Sequence, residues 1–172
     1  FVAQVHNILN ETDMAPGMLE FEITERMALQ NPDITISVLA SLSRMGIDLS
    51  MDDFGTGHGS LSCLRQIPIK TLKMDQSFVG GIMKNGDDAA IVRTLISLGH
   101  NLRLKVIAEG VETPEQLEFL QAHQCDAVQG FLFSPAVSSE AFERLLATQP
   151  FVFGRIEKIA DSAGKSKTLS SK

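Results

Sequence analysis

The sequence I-D-L-S-M-D-D-F-G-T-G, Ile47 to Gly57, alternates apolar and polar residues and then reaches two adjacent aspartates and a glycine-rich turn. Alternation with a period of two predicts a β-strand over Ile47–Asp52, in which Leu49 and Met51 share one face and Asp52 lies on the other. Two carboxylates a few ångströms apart repel by roughly 4 kcal/mol at a surface-like effective dielectric. Asp52 and Asp53 therefore need a cationic partner, or one of them must be protonated.

Four further short runs have the same character, and helix-like stretches separate them. Pro32 and Pro114 mark the first residues of two of these helices, and Gly46 marks the end of one. Strands that alternate with helices are typical of parallel β/α units. The five predicted strands are Leu19–Thr24, Ile47–Asp52, Thr71–Asp75, Leu104–Glu109 and Asp126–Gln129.

Each strand places an ionisable or amide side chain opposite its main apolar set, at or near its C-terminal end. An open sheet covered by helices on both sides would bury these polar groups. A closed (β/α) barrel instead brings them to the mouth at the C-terminal ends of the strands, where barrel active sites lie. We therefore predict a TIM-like (β/α) barrel with one converging set of polar residues: Glu22, Asp52, Asp53, Lys73, Asp75, Glu109, Glu112 and Gln129.

The predicted site is rich in carboxylates and has no Cys or His at a strand end. Oxygen ligands suit Mg²⁺ or Mn²⁺, with Ca²⁺ as an inhibitor, better than zinc or copper. Asp52 and Asp53 are placed to serve two neighbouring ions or to bridge them, and two such ions are the arrangement that hydrolyses phosphodiesters. Lys73 would add a fixed positive charge toward a phosphate or hold the attacking water in line.

Composition restricts the function further. The 172 residues are 44% hydrophobic and carry a formal net charge of -6, which argues against a surface for binding nucleic acid polymers. No apolar run approaches the ~20 residues of a membrane helix, so we expect no membrane contact from this segment. Cys63 and Cys125 lack C-x-x-C spacing, and we expect both to be reduced core residues in a cytoplasmic setting.

Five ordered motifs, together spanning Glu22 to Ser134, resemble the C-terminal two-thirds of an EAL domain, the cyclic di-GMP phosphodiesterase family of bacterial signalling. They are E-I-T-E (Glu22–Glu25), D-D-F-G-T-G (Asp52–Gly57), L-K-M-D-Q-S-F-V (Leu72–Val79), A-E-G-V-E-T (Ala108–Thr113) and C-D-A-V-Q-G-F-L-F-S (Cys125–Ser134).

The resemblance implies hydrolysis of cyclic di-GMP to linear pGpG by a TIM-like barrel with two Mg²⁺ or Mn²⁺ ions. It implies that Glu22, Asp52 and Asp53 are metal ligands and that Lys73 and Glu109 orient or activate the water. Glu25 is similar to the residue that holds the loop Phe54, Gly55, Thr56 and Gly57, and Asp75, Glu112 and Gln129 match supporting positions. The same loop is associated with dimerisation in the family, so a homodimer is expected.

The chain departs from the family pattern in two places. The Glu-Ala-Leu signature and the following Asn-x-Ser strand are absent, and we expect them on strands that precede residue 1, so that the chain holds about five C-terminal β/α units. His58 and Gly59 stand where the family usually has Tyr and Ser. We expect residues 1–150 to form the partial domain and residues 151–172 to be an extension that is disordered at its end. Regions before residue 1 could anchor the parent protein in a membrane.

Alternative functions are compatible with parts of the same pattern. An inactive EAL-type module would bind cyclic di-GMP or a protein partner without cleavage. An enolase-like lyase would use Lys73 as a base, but it would have no need of the adjacent Asp pair and its F-G-T-G loop. Glu109 and Glu112 also precede the helix at Pro114, where acidic residues interact favourably with the helix dipole.

Overall fold

The computed structural model describes residues 1–56 and 64–148. The chain divides into two units, Phe1–Pro135 and Ala136–Lys172. The sequence-based predictions for Gly57, His58, Gly59 and Cys63, and that of a disordered end to the chain, lie outside the described residues.

The first unit is built on a sheet of five parallel strands in the order β1-β2-β3-β4-β5, each hydrogen-bonded to the next. This sheet confirms the α/β class and the five predicted strands, and it is the arrangement of a partial (β/α) barrel. Parallel neighbours place all their C-terminal ends at one edge. The strands are β1 (Glu20–Thr24), β2 (Asp48–Phe54), β3 (Thr71–Met74), β4 (Lys105–Glu109) and β5 (Ala127–Gln129).

Within the described residues, helices connect β1 to β2, β3 to β4 and β4 to β5, as expected for parallel β/α units. Pro32 and Pro114 occupy the first turns of their helices, as predicted from the sequence. None of the helices within residues 1–56 and 64–148 is both long and apolar enough to span a membrane. Among the described residues of the first unit, the helices are α1 (Val2–Thr12), α2 (Glu25–Gln30), α3 (Pro32–Arg44), α4 (Gln76–Gly81), α5 (Gly86–Asn101) and α6 (Pro114–Ala122), with a 3₁₀ turn at Pro16–Met18; the second unit contains α7 (Ser139–Thr148).

The core lies between the sheet and these helices. Leu49, Met51 and Val106 are almost fully buried, which confirms the apolar phase predicted for the strands. Helix α5 approaches the sheet closely at Gly99, where an added Cβ would lie 2.3 Å from Val106 Cγ2. The apolar faces therefore meet the helices and leave the opposite face of each strand for polar side chains.

Strand β2 runs two residues further than the sequence predicted. Met51 pairs with Leu72 and Phe54 pairs with Met74, so β2 has one residue more than β3 between these two pairs. This extra residue is a β-bulge, which bends a strand and re-aims its side chains. Asp53 within the bulge has a φ of 53°, a left-handed conformation that Asp adopts more readily than most residues. The alternation of faces therefore stops at Asp53 inside the strand, whereas the sequence predicts that Asp53 lies just past the strand end.

Cys125 is a free thiol with 3% of its surface exposed, as predicted for a core cysteine. Its Sγ donates to the carbonyl oxygens of Val106 and Ala127 at 3.5 and 3.3 Å. Burial raises the pKa of this thiol to about 11.

This burial predicts low thiol reactivity. In a Cys63→Ser variant, Cys125 should react with a disulfide reagent at pH 8 about 100-fold more slowly when folded than when unfolded, because only the thiolate is nucleophilic and each pKa unit is a factor of ten. Absorbance of the released reagent measures both rates. Equal rates in the folded and unfolded protein would contradict the buried position.

Candidate active site

Lys73 lies at the centre of the predicted site, on β3, with a side chain only 9% exposed. Its Nζ donates to Glu109 Oε1 at 2.7 Å and to Glu22 Oε1 at 2.8 Å, and it lies 3.7 Å from Asp52 Oδ1. These three carboxylates come from β4, β1 and β2. Four strands thus bring one ammonium and three carboxylates together, as the strand phases predicted.

The carboxylates determine the charge state of Lys73. Burial acts to lower the pKa of Lys73, but hydrogen bonds to Glu109 and Glu22 and the negative charges of Glu109 and Asp52 outweigh it, so that the pKa is raised above its ordinary value. Lys73 is therefore a permanent cation near neutral pH. It can donate hydrogen bonds and stabilise negative charge, but it cannot accept a proton from a substrate.

A second group of carboxylates lies beside the first. Asp53 N donates to Asp52 Oδ1 at 3.0 Å, and the Asp53 carboxyl contacts that of Asp75, the N-cap of α4. Partial burial and the charges of Asp52 and Asp75 raise the pKa of Asp53, while Lys73 opposes the effect. This edge of the sheet therefore has an excess of negative charge that Lys73 alone does not balance.

The loop after β2 is held from two sides. Glu25, at the start of α2, is buried, and its Oε2 accepts from Gly55 N at 3.2 Å. Gly55 has a φ of 96°, and an added Cβ would lie 2.9 Å from the Phe78 ring, so only glycine fits here. Thr56 Oγ1 closes the turn by donating to the Asp53 carbonyl at 2.9 Å.

Phe54, the remaining described residue of the predicted loop, is buried at the end of β2 and anchors it to the core.

Two predicted residues lie near this site without joining the carboxylate cluster. Glu112 is exposed in the loop after β4, and Gln129 pairs with Glu109 in the sheet register. Within the described part of the chain, no ion pair involves Glu112. Gln129 is held through its backbone, because the Gln129 carbonyl oxygen accepts a hydrogen bond from Val111 N at 3.0 Å.

The donor set fits hard divalent cations, which prefer carboxylate oxygens. Within residues 1–56 and 64–148, no group of three or more His, Cys, Asp and Glu side chains is arranged around a common metal position. Glu22 and Glu109 are instead directed at Lys73. The observation that favours a cation is the excess charge: Asp52, Asp53 and Asp75 are close together, and one carboxyl in this group has a raised pKa.

Gln116 is a further residue of this region that the sequence analysis did not identify. Its side chain is buried, and its Oε1 accepts from the backbone N of both Glu112 and Thr113 at 2.8 and 3.0 Å. The pattern T-P-E-Q, Thr113 to Gln116, is a capping box that was visible in the sequence. That pattern marks the start of a helix and does not reveal the contact with Glu112.

Comparisons with known proteins agree with this architecture. The family model described as the EAL domain matches residues 1–136. A cyclic di-GMP phosphodiesterase of Pseudomonas aeruginosa, NbdA, is 43% identical over 150 residues, which are 87% of this chain and 19% of the relative. The chain thus spans about a fifth of the length of that curated relative.

Solved structures show the same fold. The phosphodiesterase PaMucR, in complex with c-di-GMP, superposes with a TM-score of 0.79 at 41% identity, covering 82% of this chain and 57% of that one. Klebsiella pneumoniae BlrP1, solved with manganese and cy-diGMP, gives a TM-score of 0.72 at 34% identity, covering 78% of this chain and 34% of that one. The family match extends over most of the chain and includes every described residue of the carboxylate cluster. The chain belongs to the EAL domain family.

Proposed function

We propose that this chain is the C-terminal part of a domain that hydrolyses cyclic di-GMP to linear pGpG with two divalent cations. The observation that carries the proposal is the cluster at the C-terminal edge of the sheet, where Lys73 contacts Glu22 and Glu109 next to the crowded carboxylates of Asp52 and Asp53. A related phosphodiesterase in complex with c-di-GMP has the same fold.

Glu22, Asp52 and Asp53 would hold the cations, which we propose to be Mg²⁺ or Mn²⁺. Asp75 contributes charge beside them, and Glu112 and Gln129 support the rim of the site. Bound divalent ions lower the pKa of a coordinated water and stabilise charge on the leaving oxygen. One relative, Klebsiella pneumoniae BlrP1, has been solved both with manganese and with calcium, and we propose that calcium inhibits because it accepts more ligands in looser geometry.

Lys73 and Glu109 would act on the reacting groups. The ammonium of Lys73 is fixed by two short hydrogen bonds, so it can stabilise phosphate charge without reorganising. Glu109 accepts from Lys73 and, as an ionised carboxylate, can also accept a hydrogen bond from the attacking water and orient it. Glu25 and Gly55 keep the turn that follows Asp53 in place.

The contacts of Lys73 with Glu22 and Glu109 favour this proposal over an enolase-like lyase, because an ammonium held by two carboxylates is poorly suited to act as a base. The remaining alternative is a module that binds cyclic di-GMP without cleaving it.

We also propose a homodimer that uses the loop after β2. A cytoplasmic location fits the free thiol of Cys125, because disulfides are rare in that compartment.

The test compares this chain with an extended domain, in which EAL-family strands precede Phe1. Each protein is mixed with cyclic di-GMP and Mn²⁺, and pGpG is measured by chromatography. We expect the extended domain to produce pGpG and Asp52→Asn to reduce the rate about 10³-fold, since a metal ligand supports several kcal/mol of transition-state stabilisation.

Asp33→Asn is the matched control, because it makes the same chemical change at an exposed residue in the first turn of α3 that neither bonds to nor pairs with the carboxylate cluster. Nucleotide binding without cleavage by a folded extended domain would favour the binding module instead. Size-exclusion chromatography of the same protein tests the homodimer.

A further inference from the structure

The side-chain amide of Gln116 joins two segments of the candidate site. Its Oε1 accepts from the backbone N of Glu112 and Thr113, as described above, and its Nε2 donates to the Val79 carbonyl at 3.2 Å. Val79 belongs to α4, the helix that begins at Asp75. One buried side chain thus connects the loop after β4 to the helix after β3.

Helix capping alone does not explain why this residue is glutamine. The capping box needs an acceptor at this position, and a glutamate there would also interact favourably with the helix dipole. A glutamate, however, has no hydrogen to donate to the Val79 carbonyl. The amide is therefore required by the contact with α4, because only its NH₂ group makes that bond.

The packing of the same loop leaves it little freedom. Gly110 has a φ of 73°, and an added Cβ would lie 2.5 Å from Gln76 Cβ on α4. On the other side, a Cβ on Gly130 would lie 2.1 Å from the Val111 carbonyl oxygen. The loop is thus enclosed between α4 and the segment after β5, and Gln116 fixes it from the helix side.

We propose that Gln116 is a positioning residue that ties the loop after β4, which follows Glu109 directly and carries Glu112, to helix α4, and so fixes Glu112 relative to Asp75 at the start of that helix. It acts through the backbone of Glu112 and the carbonyl of Val79 and touches no reacting group. Residues that hold site ligands in this indirect way typically affect affinity or activity by 10- to 100-fold. The inference rests on the proposed function, since its kinetic consequence needs a reaction at this site.

The test uses two substitutions in the extended domain. Gln116→Glu keeps the acceptor for Glu112 and Thr113 but loses the donor to Val79, whereas Gln116→Met loses both. We expect Gln116→Glu to lower kcat for cyclic di-GMP at least about 10-fold while KM changes less than about threefold, because the fault lies in the placement of the reacting groups. Gln121→Glu makes the same charge change on α6 and should leave kcat unchanged.

Amide hydrogen exchange provides a readout that does not depend on turnover. In Gln116→Glu, the amide of Ile82, which also bonds to the Val79 carbonyl, should exchange about 2- to 10-fold faster, while the amides of Glu112 and Thr113 keep their protection. In Gln116→Met, the amides of Glu112 and Thr113 should exchange faster as well. A Gln116→Glu protein with the kcat and exchange rates of Gln121→Glu would overturn the inference.

The two hypotheses fail in different ways. If the unsubstituted extended domain does not cleave the nucleotide, the proposed function is wrong, and the exchange rates of Ile82, Glu112 and Thr113 then decide by themselves whether Gln116 ties the loop to α4. If the unsubstituted domain cleaves but Gln116→Glu cleaves equally well, the proposed function stands and the positioning role is overturned.

Discussion

Replacing Lys73 with Met is expected to lower the rate of pGpG formation by about 10²–10³-fold, the usual effect of removing one preorganised donor to developing charge. It should also destabilise the cation-free protein by about 2–3 kcal/mol, since it leaves the carboxylates of Glu22 and Glu109 without their buried partner. The value is below the roughly 3–5 kcal/mol of fully buried pairs because the Glu22 side chain is 50% exposed. Chromatography measures the rate, and urea unfolding measures the stability.

The response to Mn²⁺ separates an electrostatic loss from general misfolding. A divalent cation that binds the folded state raises the free energy of unfolding, and its effect should be larger in Lys73→Met, where more carboxylate charge is unbalanced. Lys70→Met is the matched control, because Lys70 forms an ion pair with Asp48 at the surface, where such pairs contribute about 0–1 kcal/mol. Equal effects of the two substitutions would contradict the central position of Lys73.

Strand phase predicted that Glu22, Asp52, Lys73 and Glu109 converge, whereas Glu112 and Gln129, which were part of the same predicted set, lie outside the carboxylate cluster. Successive side chains alternate between the faces of a strand, and parallel strands end at one edge, so the polar members of the five runs had to share that edge. The contacts of Lys73 with Glu22 and Glu109 confirm this convergence. The prediction needed only short-range information along each strand.

The pairing of these side chains could not be predicted in the same way. The sequence predicts that Lys73 faces a phosphate or a water, whereas the structure shows it paired with two carboxylates from other strands. Distances between strands depend on register and twist, which no single run of sequence contains. The bulge at Asp53 has the same origin, because it is defined by the pairing of β2 with β3.

Gln116 was missed for a different reason. Its capping box with Thr113 is a local pattern, and local patterns can be read directly. Its bond to Val79, by contrast, joins residues that are 37 positions apart. Contacts of that kind are recovered only when the packing of α6 against α4 is known.

Replacing Asp53 with Asn is expected to stabilise the cation-free protein while it weakens cation binding. Asn has nearly the same shape and tolerates the left-handed φ of 53°, so the change removes charge without adding backbone strain. Loss of repulsion from Asp52 and Asp75 should raise the free energy of unfolding by about 0.2–1 kcal/mol, the range for exposed charge pairs. Asp13→Asn is the matched control, because Asp13 has a φ of 52° at the end of α1, away from the cluster.

The pH dependence of this gain follows from the raised pKa of Asp53. When a carboxyl has a higher pKa in the folded state than in the unfolded state, its ionisation lowers the free energy of unfolding as the pH rises. At pH values where the group is protonated in both states, it has no such effect. The advantage of Asp53→Asn should therefore be full at neutral pH and disappear on acidification, as measured by thermal melts in metal-free buffer. In the presence of Mn²⁺ the order should reverse, because the unsubstituted protein keeps all its ligand charge and gains more from the bound ion. A variant that is less stable than the unsubstituted protein in metal-free buffer would contradict this prediction, because it would show that the Asp53 carboxylate stabilises the cation-free fold.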